Sequence, residues 1–146
     1  MKIAKKIIFL CTGNSCRSQM AEGFARFFSK KRLANNIVQS AGTKADGLNP
    51  IAVYVMKELN IDISHQKSKT IDSININQFD LVVTVCDDAY CVLINLNQLE
   101  LTSQVVHKSF TDPTKIKGSK EEQLLIYRQV RDEIKDMVLD LISNYE

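Results

Sequence analysis

Cys11 and Arg17 are separated by five residues, Thr12, Gly13, Asn14, Ser15 and Cys16, with Ser18 directly after. A thiol, a guanidinium and a hydroxyl grouped this closely are the parts needed to attack and hold an anion. The thiolate is the nucleophile, and the planar guanidinium grips two oxygens at once. Gly13 lets the backbone curl around the occupant. Two further cysteines, Cys86 and Cys91, and an Asp112-Pro113 pair lie far along the chain. A carboxyl group on a loop can protonate a departing oxygen, and a following proline restricts the backbone that presents it.

The flanking residues state where this cluster sits. "KKIIFLC" is a continuous apolar run of the kind a buried parallel strand produces, and "QMAEGFARFFSKK" changes to helical spacing, with Met20, Phe24, Phe27 and Phe28 on one face. The segment 11–18 is therefore a turn between a strand and a helix N-terminus, where unpaired backbone N–H groups and the helix dipole favour a tetrahedral oxyanion. Such surroundings predict a Cys11 thiol depressed into the range of about 3.5 to 7.5. The turn is not a nucleotide P-loop, because Arg17 stands where a lysine should and the glycine spacing differs.

Further strands are expected at "NIVQSAG", "FDLVVTVC" (79–86) and "VVHKSF" (105–110). A helix should begin at Asn49-Pro50, with Asn49 as cap. A long C-terminal helix from about Lys120 carries the stripe Tyr127, Val130, Ile134, Met137, Val138 and Leu141. The alternation predicts an α/β fold, a doubly wound four-stranded parallel sheet with helices on both faces, forming a single domain over 1–146. In such sheets ligands sit beyond the carboxyl ends of the strands, which is where Cys11, Cys86 and Asp112 all fall.

A net charge of +2, with 45% hydrophobic and 25% charged residues, demands no nucleic-acid partner. No apolar stretch is long enough for a membrane span, and the N-terminal run is too short for a signal peptide. The expected location is the cytoplasm, where four cysteines serve catalysis, redox chemistry or metal binding rather than a disulfide framework. Neither cysteine pair has the close spacing of zinc ligands, so no metal and no cofactor is expected. His65 and His107 read as surface polar residues.

"CTGNSCRSQMAEG" resembles the active-site signature of the low-molecular-weight protein tyrosine phosphatase superfamily and, within it, the thioredoxin-coupled arsenate reductases. The likeness extends through "SAGT", "NPIAVYVMKELNIDIS", "FDLVVTVC", "FTDPT" and "YRQVRDEIKD". The resemblance implies that Cys11 is the nucleophile and that the backbone of Thr12, Gly13, Asn14, Ser15, Cys16 and Arg17, with the Arg17 side chain, binds arsenate or phosphate. It implies that Asn14 stiffens the loop, Ser18 stabilises the thiolate and Asp112 is the general acid. It further implies that Cys86 attacks the Cys11 adduct and that Cys91 then attacks Cys86. Thioredoxin or a similar dithiol protein would reduce the resulting disulfide.

Some members of the superfamily bind potassium, which here would involve Asn14, Glu22 and Ser40. Lys69 stands where a carboxylate is expected, and its ammonium would replace the ion. Cys86 and Cys91 are separated by only four residues, and Thr114 and Lys115 follow Asp112-Pro113 where a phosphatase usually shows tyrosines. Cys16 can pair with Cys11 under oxidation and reversibly protect it, and two alternatives remain beside arsenate reduction: a phosphatase acting through a Cys11 phosphoenzyme, and a non-catalytic sensor that binds phosphate or reports oxidation.

Overall fold

The computed structural model describes residues 5–31, 36–90 and 104–144. Strand β1 (Lys6–Cys11) is its centre. Ile7, Ile8, Phe9 and Leu10 are each at most 4% exposed. Successive strand residues point to opposite faces, so both faces of β1 are covered. β1 pairs in parallel with β2 (Ile37–Gly42) on one side and with β3 (Leu81–Thr84) on the other. β4 (Gln104–His107) adds to β3, giving the order β2-β1-β3-β4. The chain thus leaves β1 toward one edge, returns, and continues toward the other. That reversal defines a doubly wound sheet and opens a crevice beyond the carboxyl end of β1.

Helix α1 (Arg17–Lys31) follows β1 directly and buries Met20, Ala21, Phe24 and Ala25. Helix α2 (Pro50–Lys57) starts where expected: Asn49 is extended, its side chain accepts from the N–H groups of Ile51 and Ala52, and Pro50 fills the first helical position. Helix α3 (Lys120–Asn144) buries the whole predicted stripe from Tyr127 to Leu141. A reciprocal cap starts α3, with the Glu122 N–H donating to Ser119 Oγ at 3.2 Å and the Ser119 N–H to Glu122 Oε1 at 3.4 Å. α1 packs along α3 and against β1 and β2, and α2 packs on both α3 and α1.

The third and fourth strands are shorter than the apolar runs suggest. Of residues 79–86 only Leu81–Thr84 pair, because Phe79 ends a 3₁₀ turn at Ile76–Gln78 and the chain bends at Cys86. β4 stops at His107, short of residue 110.

Candidate active site

Cys11 ends β1 and Arg17 begins α1, so the loop 12–16 is the whole connection. A second loop fixes it. The carbonyls of Cys11, Thr12, Gly13 and Ser15 accept from the N–H groups of Thr43, Lys44, Asp46 and Asn49 at 2.9–3.1 Å. In a planar trans peptide each N–H points opposite its carbonyl, so the N–H groups of Thr12, Gly13, Asn14 and Cys16 are turned away from that loop. The two loops can approach this closely only because Gly42 lacks a side chain. A Cβ there would lie 2.5–2.7 Å from the backbones of Lys44, Thr12 and Asn14. The concavity has a volume of about 150 Å³, with Cys11, Arg17 and Asp112 in its wall and Lys44 and Lys115 also lining it.

Asn14 holds the loop from within. Its backbone is left-handed at φ 46°, a conformation asparagine tolerates better than most residues. Its Oδ1 accepts from the Lys69 N–H at 2.9 Å and Gln19 Nε2 at 3.2 Å, which leaves Nδ2 to donate to Ser18 Oγ at 2.8 Å and Ser40 Oγ at 2.9 Å. Ser40 passes its own proton to Glu22 Oε1 at 2.6 Å. Ser18 Oγ lies 2.7 Å from Cys11 Sγ. A hydroxyl accepts on two lone pairs, so Ser18 can accept from Asn14 and still donate its own proton to the sulfur, the orientation that stabilises a thiolate.

The buried Glu22 carboxylate is neutralised by Arg26, whose Nε and Nη2 both lie 2.9 Å from Oε2. Arg26 takes the direct ion pair. Lys69 feels Glu22 at longer range while burial lowers its pKa. Asn14 presents an amide nitrogen to Ser40, and Ser40 spends its proton on Glu22, so these groups satisfy one another. Among the described residues no cluster of His, Cys, Asp and Glu could hold a metal ion.

Cys11 is 2% exposed, and burial pushes its thiol above the ordinary value. The Ser18 hydroxyl and N–H, followed by the Arg17 charge, oppose that rise without overcoming it, and charge on Cys86 would add to it. The depression expected from the turn is therefore reversed, because taking a thiolate out of water outweighs the hydrogen bonds returned to it. Cys16 is pushed up to about 12, again by burial, and hydrogen-bonds to Tyr127 of α3. The Tyr127 hydroxyl also accepts from Asn49 Nδ2 at 3.1 Å.

Arg17 is 7% exposed and turns toward the loop after β4, donating to the Phe110 carbonyl at 3.2 Å and lying 3.4 Å from Asp112 Oδ2. Asp112 caps the 3₁₀ turn Pro113–Lys115, its Oδ1 accepting from the Thr114 N–H at 3.0 Å and the Thr114 hydroxyl at 2.7 Å. Oδ2, on the Arg17 side, is the oxygen available to a reacting group.

Cys86 is buried at the bend after β3, with its sulfur 3.3 Å from Thr12 Oγ1 and accepting from the Ala89 N–H at 3.4 Å. The third strand end is thereby brought against the first residue of the loop after Cys11. Cys91 lies outside the described residues. His107 is exposed, as its reading as a surface polar residue expects, and it has two partners that the sequence did not name: its Nδ1 is 2.7 Å from Thr84 Oγ1, and its Nε2 is 3.2 Å from Asp87 Oδ1. Its one sequence-level signal is a position at the end of β4, meaningful only once β4 is paired with Thr84.

The family profile described as low molecular weight phosphotyrosine protein phosphatase matches residues 6–145. The arsenate reductase of Halalkalibacterium halodurans is 50% identical over 133 residues, covering 89% of either chain. That of Bacillus subtilis is 48% identical over 133 residues, with the same coverage. Among solved structures, an arsenate reductase in the phosphate binding state superposes with a TM-score of 0.75 at 32% identity, covering 97% of this chain and 99% of the other. A low molecular weight protein tyrosine phosphatase from T. tengcongensis reaches 0.83 at 26% identity, covering 96% and 99%.

Proposed function

The chain belongs to the low molecular weight phosphotyrosine protein phosphatase family, and from that premise we propose that it reduces arsenate to arsenite. The observation that carries the reduction, as opposed to hydrolysis alone, is the Cys86 sulfur beside Thr12 at the edge of the Cys11 loop. Ester hydrolysis has no use for a second thiol there. The relatives named arsenate reductase, at 50% and 48% identity, support the same reading.

The loop N–H groups and the Arg17 guanidinium bind the oxyanion, and Arg17 swings from Asp112 to do so. Cys11, helped by Ser18, attacks arsenic, and Asp112 protonates the leaving oxygen. Cys86 then attacks the Cys11 sulfur. The new S–S bond replaces the S–As bond, whose electron pair stays on arsenic and leaves it as arsenite. Cys91 displaces Cys11 from Cys86, and a dithiol protein such as thioredoxin reduces the Cys86–Cys91 disulfide by exchange. Such a cycle belongs in the cytoplasm, where thiols are kept reduced. Among the described residues no helix is long and apolar enough to cross a membrane.

The reduced protein treated with arsenate and no reductant should release one arsenite per chain and yield a Cys86–Cys91 disulfide in non-reducing peptide mass maps. Thioredoxin, its reductase and NADPH should then restore turnover. A Cys11–Cys16 bond alone would reject the relay and leave the phosphatase reading. That second reading is supported by Asp112, whose Oδ2 lies 3.4 Å from the Arg17 guanidinium and lines the same concavity as Cys11.

A further inference from the structure

Cys86 is followed by a helical turn, residues 87–90, and the position of its sulfur depends on that turn. The Ala89 N–H donates to Cys86 Sγ at 3.4 Å and the Tyr90 N–H to the Cys86 carbonyl at 3.3 Å. The turn is fastened to the sheet by its side chains. Thr12 Oγ1 donates to Asp88 Oδ2 at 3.2 Å. His107 supplies two more ties: its Nε2 lies 3.2 Å from Asp87 Oδ1, and its ring stacks on Tyr90 with centroids 4.2 Å apart and planes 22° from parallel.

His107 can do this because its own ring is anchored. It is the last residue of β4, in register with Thr84 of β3, and Thr84 Oγ1 is 2.7 Å from Nδ1. A carboxylate at Nε2 accepts only, so Nε2 carries the proton. In the neutral ring Nδ1 is then the acceptor, and the buried Thr84 hydroxyl donates to it. The ring is thus oriented by β3 and presents one edge and one face to the turn that follows β3.

We propose, on the basis of the reduction reading above, that His107 is a positioning residue for the second step: it holds the 87–90 turn so that the Cys86 sulfur faces the Cys11 adduct. Its effect is confined to the attack of Cys86 on the Cys11 sulfur. The first step, Cys11 on arsenic or on a phosphate ester, does not use the Cys86 sulfur.

The test measures arsenite release in a single turnover, Cys86 alkylation by iodoacetamide in peptide maps, and aryl phosphate hydrolysis on the same preparations. His107→Ala should slow arsenite release about fivefold and speed Cys86 alkylation by a similar factor, the equivalent of one hydrogen bond. Hydrolysis should stay at the parent rate. His107→Phe keeps the stack and loses both hydrogen bonds, so it should fall between. Asp87→Asn retains an acceptor for Nε2–H and should behave as the parent, whereas Asp87→Ala should not.

Should His107→Ala fail to fold, Asp87→Ala breaks the same tie from a side chain that is 80% exposed. Parent rates of arsenite release and Cys86 alkylation in these variants would overturn the assignment. So would hydrolysis falling in step with reduction, since that marks general damage to the site. A parent protein that releases no arsenite sinks the reduction reading by itself, and the alkylation rates then decide the positioning role alone.

Discussion

Ser18 Oγ accepts from Asn14 Nδ2 at 2.8 Å and stands 2.7 Å from Cys11 Sγ, so its one proton is within hydrogen-bond reach of that sulfur. Burial works against the thiolate, and Ser18 heads the groups that work for it. Ser18→Ala should therefore slow Cys11 alkylation at neutral pH by about tenfold or more, the effect of one hydrogen bond to a charged group. The pH at which alkylation becomes half-maximal should move upward. An unchanged pH profile would show that the sulfur does not depend on Ser18.

Asp112 tests the acid. Replacing it by asparagine keeps an oxygen for Thr114 and removes the proton. Hydrolysis of an aryl phosphate should fall by about 10² to 10⁴. The loss should be smallest for esters with the best leaving groups, since these need no protonation. A uniform loss across leaving groups would assign Asp112 to holding Arg17 instead.

Cys86→Ser separates the two activities. A serine is close in size to cysteine, so the bend after β3 should stay folded while disulfide chemistry is lost. Arsenate turnover should disappear and aryl phosphate hydrolysis should survive, whereas Cys11→Ser should abolish both. Arsenite release from Cys86→Ser at the parent rate would end the three-cysteine relay.

Cys16 makes stability depend on alkaline pH. Its pKa is raised from 9.0 to about 12, so the folded chain holds this proton more tightly than the unfolded one. The resulting stability is complete below pH 9.0 and is lost as the pH climbs toward about 12. Its full size is about 4 kcal/mol, an upper limit. Burial moves Cys11 in the same direction. Urea midpoints should fall steadily above pH 9, and less steeply in Cys16→Ala; equal slopes would exclude Cys16 as a cause.

What the sequence determined by itself is local in the chain. The apolar run of β1 followed by helical spacing, with Cys11 and Arg17 bracketing a glycine-containing turn, is enough to state a strand, a loop and a helix N-terminus facing an anion. The Asn49-Pro50 start of α2 and the apolar stripe of α3 were equally legible, because backbone capping and helical period act over a few residues. Tertiary structure decided everything that depends on which distant segments meet. The Cys11 thiol is raised rather than lowered because the sheet and helices bury it, and no turn motif encodes that degree of burial. Asn14 turned its Nδ2 toward Ser18 and Ser40 because its Oδ1 was taken by the Lys69 N–H from another loop. His107 gained its contact with Thr84 only when β4 came into register with β3, since hydrogen bonds between strands follow from pairing, which residue spacing along one strand does not specify.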